Sequence, residues 1–262
     1  MSEDVFVTHD GLKFRARVEG PEGAPWVVFS NSLMTDVGVW EAQAKALRDT
    51  HRVLRYDQRG HGLTEAPDHP ANFEELGGDL IALLDHFGVE RCAFVGLSMG
   101  VPTGLHLLRE QPDRVDRVVF TDGQSATAPG GFESWGLRIE GAQRDGMVAN
   151  AEATMARWFS PTFVAAGGAE ALRKSAEAMP LAGFVACATA LQGYDYRAVL
   201  PEIKVPALLI AGENDGKMPE SMRVFAEAIP GARFEIVPGA GHIPNVEQAA
   251  HYTRLLTGFL TS

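Results

Sequence analysis

The sequence predicts an α/β fold: a mostly parallel, twisted sheet with helices on both faces, interrupted by one helical insertion. Three observations carry this prediction. Short runs such as Trp26-Val27-Val28-Phe29 and Ala93-Phe94-Val95 are apolar at consecutive positions, as strands buried on both faces must be. Stretches with apolar residues three and four apart follow them, which is the spacing of a helix face. From about Ser125 to Val199 the alternation stops, and a segment rich in Ala, Glu, Arg and Met replaces it.

The elements follow in order. Val5 to Val18 alternates apolar and polar residues around Asp10-Gly11, a dipeptide that favours a tight hairpin turn, so two antiparallel strands open the chain. The next strand is Trp26–Phe29, with a helix from Trp40 to Leu47; Val53-Leu54 with Tyr56 is a strand, with a helix from Leu76 to Phe87. Ala93–Val95 precedes a helix from Val101 to Leu108, and Val118-Val119-Phe120 comes before the insertion. Within the insertion Trp135, Trp158 and Phe159 stand at helix-compatible spacings, with Gly167-Gly168 and Pro180 as breakers. Ala207–Ile210 and Phe234–Val237 resume the strands, and a helix from Val246 to Leu260 closes the chain. Residues 1–124 and 200–262 thus read as a core domain, and residues 125–199 as a helical cap inserted between two of its strands.

With 23 Lys and Arg against 34 Asp and Glu, the 262 residues carry a formal charge of −11. Such a field opposes the phosphate-neutralising contacts of nucleic-acid binding and any anionic membrane surface, and leaves a small-molecule substrate as the expected partner. A chain of this length buries roughly 70–75% of its unfolded surface and needs no covalent staples. Two cysteines, Cys92 and Cys187, make neither a disulfide framework nor a cysteine-rich zinc site. The start, Met1-Ser2-Glu3-Asp4, is acidic where a signal peptide is basic, and no apolar run approaches the ~20 residues of a membrane span. A cytoplasmic monomer or small homo-oligomer is expected.

The chemistry starts from Gly96-Leu97-Ser98-Met99-Gly100, a G-x-S-x-G between a strand and a helix. Glycines flank the serine because the strand-to-helix turn is too sharp for side chains there, and the hydroxyl is presented at a helix N-terminus. A serine needs a base and an orienting carboxylate to become a nucleophile. His242, in Pro238-Gly239-Ala240-Gly241-His242-Ile243-Pro244, follows the last strand and projects from the carboxyl end of the sheet, where such sites form. Asp215 lies just beyond the strand Ala207–Ile210 and gives the chain order Ser, Asp, His; Glu213 and Asp122 are its rivals. The oxyanion donors expected are the amides of Met99 and of Leu33, with Ser32 the competitor to Leu33. Asp57-Gln58-Arg59-Gly60-His61-Gly62 reads as a structural loop, His61 has no second metal ligand at a fitting spacing, and Gly77-Gly78 lacks the lysine of a phosphate loop. No nucleotide, flavin or metal is implied.

With these residues in place the sequence resembles the α/β-hydrolase superfamily, and within it 3-oxoadipate enol-lactone hydrolases of aromatic catabolism. The likeness runs along nearly the whole chain and is carried by Ser30-Asn31-Ser32-Leu33, Leu54-Arg55-Tyr56-Asp57 with Arg59-Gly60-His61-Gly62, the Ser98 elbow, Ala156-Arg157-Trp158-Phe159 and Ile229-Pro230-Gly231-Ala232-Arg233. It implies that Ser98, Asp215 and His242 are a triad, that Leu33 and Met99 supply the oxyanion amides, and that the insertion covers the site. Met34 and Val101 stand where that family commonly has glycine, and Asn214-Asp215-Gly216-Lys217-Met218 replaces its usual segment around the acid, so a reshaped acyl pocket is expected.

An enol-lactone of this type carries a free carboxylate, and a chain of charge −11 must offer it a local cation. Arg138 lies three residues after Trp135, on one helix face with it, and is expected to hold the carboxylate while Trp135 packs on the apolar part. Arg157, beside Trp158, is the alternative. The rival activities are a carboxylesterase or lactonase for a neutral substrate, a carbon–carbon bond hydrolase or perhydrolase on the same triad, and, more remotely, a binding protein without turnover.

Overall fold

A computed structural model describes residues 3–261; Met1, Ser2 and Ser262, and with them part of the acidic start, lie outside the described residues. Eight strands form one sheet in the order β1-β2-β4-β3-β5-β6-β7-β8. Strands β1 (Asp4–His9) and β2 (Leu12–Glu19) make the expected hairpin, with Asp10 at φ 49 and Gly11 at φ 75 in the two-residue turn. Strand β2 also pairs antiparallel with β4 (Arg52–Tyr56), and from there the sheet is parallel: β3 (Trp26–Ser30), β5 (Cys92–Leu97), β6 (Val115–Thr121), β7 (Ala207–Gly212) and β8 (Arg233–Val237). Every residue of β5 and β7 is buried, as apolar runs flanked by helices on both faces require.

Helix α1 (Glu41–Leu47) starts one residue later than expected, because Trp40 belongs to a 3₁₀ turn, Val37–Trp40, capped by the Asp36 side chain on the Gly38 amide. The Trp40 ring is fully buried 4.7 Å from Phe29 and 6.2 Å from Tyr252. Helix α2 (Phe73–His86) begins three residues ahead of the apolar periodicity, where Asn72 and Glu75 cap each other's backbone amides at 2.9 and 3.0 Å. Helix α3 (Gly100–Glu110) follows β5 directly.

Between β6 and β7 stand α4 (Gly131–Trp158), α5 (Pro161–Ala165), α6 (Glu170–Ala178) and α7 (Leu181–Ala190), in the interval read as helical. A single bridge between Ala126 and Asp195 ties the base of this insertion. Helix α4 is broken at Gly146, whose φ of 80 no helix accommodates. Helix α8 (Met218–Glu227), which the apolar periodicity did not reveal, packs on β7 and β8. The closing segment is two helices rather than the one expected: α9 (Pro244–Glu247) and α10 (Ala249–Leu260). They separate at Gln248 (φ −124, ψ 50), whose backbone leaves the helical region. Both cysteines are buried and unpaired with each other. Among the described residues no helix is long and apolar enough to cross a membrane.

Candidate active site

Strand β5 ends at Leu97 and α3 begins at Gly100, so the chain reverses within two residues. Ser98 takes the turn at φ 52, in the left-handed region that residues with a Cβ rarely occupy. Backbone bonds hold it there: the Ser98 N–H donates to Thr121 O at 2.8 Å, and the Val101 N–H to Ser98 O at 2.9 Å. A Cβ on Gly96 would stand 2.6 Å from Gly100 O, and one on Gly100 only 2.4 Å from Ser30 O. Both flanking positions must therefore be glycine.

Two loops at the carboxyl end of the sheet complete the contact. His242 Nε2 lies 3.0 Å from Ser98 Oγ, and His242 Nδ1 lies 2.7 Å from Asp215 Oδ2. With a proton on Nδ1 shared toward the carboxylate, Nε2 is left free to accept the serine proton. The imidazole is 13% and the carboxylate 17% exposed, so water competes weakly for either contact. Of the rivals, Glu213 is exposed and accepts from the Gly239 N–H at 2.8 Å. Asp122 is fully buried and accepts from the Gly212 N–H at 3.0 Å. Asp215 is the carboxylate on the imidazole.

The insertion holds the histidine loop. The His242 N–H donates to Trp158 O at 2.8 Å, and the two rings stack with centroids 5.7 Å apart. Glu247, 9% exposed, accepts from the Gly241 N–H at 2.7 Å and from the Ser160 N–H at 2.9 Å.

Leu33 and Met99 are both buried, and neither amide N–H has a protein acceptor among the described residues. Met99 stands at the N-terminus of α3, where such amides are left over by helix geometry. Leu33 lies in a turn closed by the Thr35 N–H on Ser32 O at 3.2 Å, with Met34 at φ 66. Gln58 ties the Leu33 loop to helix α3: its Nε2 donates to Asn31 O at 2.6 Å, and its Oε1 accepts from Thr103 Oγ at 3.2 Å. Thr103 Oγ is also 3.1 Å from Met99 O. Ser32, the competitor, has a buried Oγ with no partner.

Ser98 and His242 open onto a cavity of about 260 Å³, walled on the insertion side by Trp135, Arg138, Arg157 and Tyr194. The Arg138 guanidinium lies over the Trp135 ring, 3.9 Å from its centroid, and its buried Nε has no partner. Arg157 donates to Thr154 Oγ at 2.8 Å. Burial, and then the like charge of Arg157, push Arg138 down to about 9, and burial also lowers Arg157. No acid among the described residues relieves either group.

Residues 23–253 match the model of the alpha/beta hydrolase family. Two curated relatives, 3-oxoadipate enol-lactonases 1 and 2 of Acinetobacter baylyi, are 33% and 34% identical. The first alignment covers 100% of this chain and 99% of the relative, the second 87% and 86%. The solved enol-lactonase from Burkholderia xenovorans LB400 superposes with a TM-score of 0.93 at 36% identity, over 98% of this chain and 100% of that one. The chain belongs to the α/β-hydrolase family.

In this α/β hydrolase the two bulky residues expected to reshape the pocket do not line it. Met34 and Val101 are 1% and 0% exposed and lie outside the cavity wall. Val101 fills the space where Gly123 would carry a Cβ, 2.4 Å from Val101 Cγ2, and Met34 Sδ accepts weakly from Thr154 Oγ and Asn150 Nδ2, both at 3.6 Å. Of the altered acid segment, Met218 reaches the cavity beside Asp215. Sequence reasoning missed Gln58, Thr103 and Glu247, whose bonds to Asn31, Gln58 and Ser160 span 27 to 87 residues and leave no local signature.

Proposed function

We propose that this α/β hydrolase opens a carboxylate-bearing enol-lactone of the 3-oxoadipate enol-lactone type through an acyl-enzyme on Ser98, in the catabolism of aromatic compounds. The observation that carries the reading is the placement of Arg138, without an acid partner, in the same cavity as the Ser98–His242–Asp215 contacts. A half-buried guanidinium without an anion is costly, and a substrate carboxylate supplies what the protein withholds. The enol-lactonase names of the relatives that cover this chain end to end support the same class.

The steps follow from the geometry. His242 Nε2 takes the proton of Ser98 as Oγ attacks the lactone carbonyl, and Asp215 stabilises the imidazolium that forms. The Leu33 and Met99 amides receive the negative charge developing on the carbonyl oxygen. The ring C–O bond then breaks, and His242 returns the proton to the departing enol oxygen. That enol tautomerises to a ketone, a poor nucleophile, so re-closure is suppressed. Water, deprotonated by His242, attacks the acyl-enzyme and releases the new carboxylate. Helices α4 to α7 act as a cap, with Trp135 against the apolar part of the ring and Arg138 on its carboxylate.

The test is hydrolysis of freshly made 3-oxoadipate enol-lactone beside a neutral ester of similar acyl size, with Ser98→Ala as control. A kcat/KM of about 10⁴ M⁻¹s⁻¹ or more for the lactone, far above the ester and abolished in Ser98→Ala, is the expected result. Turnover of the ester alone overturns the substrate class and leaves a carboxylesterase.

A further inference from the structure

Asp122 was a rival for the acid of the triad, and the structure places it against the acid instead. It follows β6 with φ 41, a left-handed conformation in a residue with a side chain, so the backbone is held where it is by its surroundings. Its N–H donates to Ile210 O at 3.1 Å, and its two carboxyl oxygens lie 3.0 and 3.2 Å from the Gly212 N–H. That amide is one donor for two oxygens. The side chain is 0% exposed, and it faces Asp215 within a cluster whose carboxylate oxygens and His242 nitrogen lie within 4.8 Å of one another.

The groups facing Asp122 are Asp215, the His242 ring and, from α10, Tyr252, whose hydroxyl is engaged with Thr121 Oγ at 2.8 Å. Among the described residues no lysine or arginine is paired with Asp122, whose shift has burial and Asp215 as its leading causes. Two carboxylates in contact in a buried site cannot both be charged. Asp215 has the imidazole for a partner, and besides His242 no side chain among the described residues is hydrogen-bonded to it. Burial first, and the Asp215 charge second, drive Asp122 well above the ordinary carboxylate range.

We infer that Asp122 is a positioning residue of the triad: it stays protonated through turnover and donates its O–H to the Asp215 carboxylate, so that the pair presents a single negative charge to His242. The proton never leaves. It fixes the orientation of Asp215 and tempers that carboxylate's basicity, so the imidazolium keeps its proton for the leaving enol. The inference rests on the triad reading above, and its test does not need the enol-lactone.

The experiment compares wild type, Asp122→Asn and Asp122→Ala, with a neutral ester as substrate and a difference infrared spectrum of wild type minus Asp122→Asn near neutral pH. Asparagine keeps a donor and cannot ionise. The expected result is the carbonyl band of one protonated carboxylic acid in the difference spectrum, kcat/KM of Asp122→Asn within about 3-fold of wild type with the acid limb of its pH profile unmoved, and a loss of about tenfold or more in Asp122→Ala. Were Asp122 ionised, its removal at under 5 Å from the imidazole would displace that limb downward by about one unit or more. Such a displacement, or the absence of the carbonyl band, overturns the proposal. If Asp122→Ala does not fold, the asparagine variant and the spectrum decide alone. An enzyme that ignores the enol-lactone but hydrolyses the ester leaves this test standing, which separates its failure from that of the substrate reading.

Discussion

Replacing Arg138 by alanine should split the kinetics of two substrates and move stability the opposite way. At about 4 Å and an effective dielectric near 20, a guanidinium attracts a carboxylate by about 4 kcal/mol before desolvation. After desolvation, a charge-assisted hydrogen bond keeps about 1.5–3 kcal/mol, or roughly 10- to 150-fold in kcat/KM for the anionic lactone. A neutral ester makes no such contact and should change by less than about 3-fold. In the free protein, Arg138 stands half-buried over Trp135 with a buried, unsatisfied Nε and a like charge nearby, so its removal relieves the fold rather than weakening it. The melting temperature of Arg138→Ala should equal or exceed that of wild type. Steady-state kinetics on both substrates and a thermal melt are enough. An equal fall on both substrates would mean that Arg138 shapes the cavity instead of holding an anion, and a large drop in melting temperature would refute the energetic argument.

Further outcomes follow from other contacts. Gly100→Ala puts a Cβ 2.4 Å from Ser30 O, backbone against backbone, and should cost about 2 kcal/mol or more in denaturant unfolding, with a loss of activity as the elbow shifts. Glu247→Ala strips the acceptor from the Gly241 and Ser160 amides, and should lower kcat by about tenfold or more with KM little changed, since the base loosens while the cavity stays. His61 is buried, its Nδ1–H donates to Arg59 O at 3.0 Å, and burial holds it down at about 4 against 6.5 unfolded. The unfolded chain therefore binds the extra proton first, so this contribution is intact above pH 6.5 and is lost, by up to about 3 kcal/mol, as pH falls toward 4. Unfolding free energies of wild type and His61→Asn should diverge by this amount across that window, and parallel curves would remove His61 from the account.

What the sequence discloses is what short segments decide. Asp10-Gly11 turns the first hairpin on its own, and β5 and β7 are apolar throughout because both faces meet helices. The Ser98 elbow is legible because its glycines answer to atoms a few residues away and to the neighbouring strand. Helix α2 starts earlier than its periodicity because Asn72 and Glu75 cap it, a signal present in the sequence and outweighed there by apolar spacing. Asp215 and Asp122 could be ranked only by the order of strands; which one meets His242 depends on how β6 and β7 lie side by side. Glu247 and Gln58 were invisible for the same reason: a carboxylate bridging Ser160 to Gly241, or an amide joining a loop to a helix, exists only after the sheet has formed. Met34 and Val101 were expected to reshape the pocket, but their side chains turn into the core.

The bond from the His242 N–H to Trp158 O has a consequence for anyone recombining this scaffold. Residues 131–190 invite transplantation as an interchangeable part, since they enter and leave between two adjacent strands. Yet the last turn of α4 and the residues just after it also hold the His242 loop, through Trp158 above the ring and Ser160 on Glu247. A chimaera that exchanges the whole insertion would disturb the support of the His242 ring along with the cavity wall. A crossover placed at Gly146, where α4 already breaks, would carry Trp135 and Arg138 across while leaving Arg157, Trp158 and the histidine anchorage in their native company.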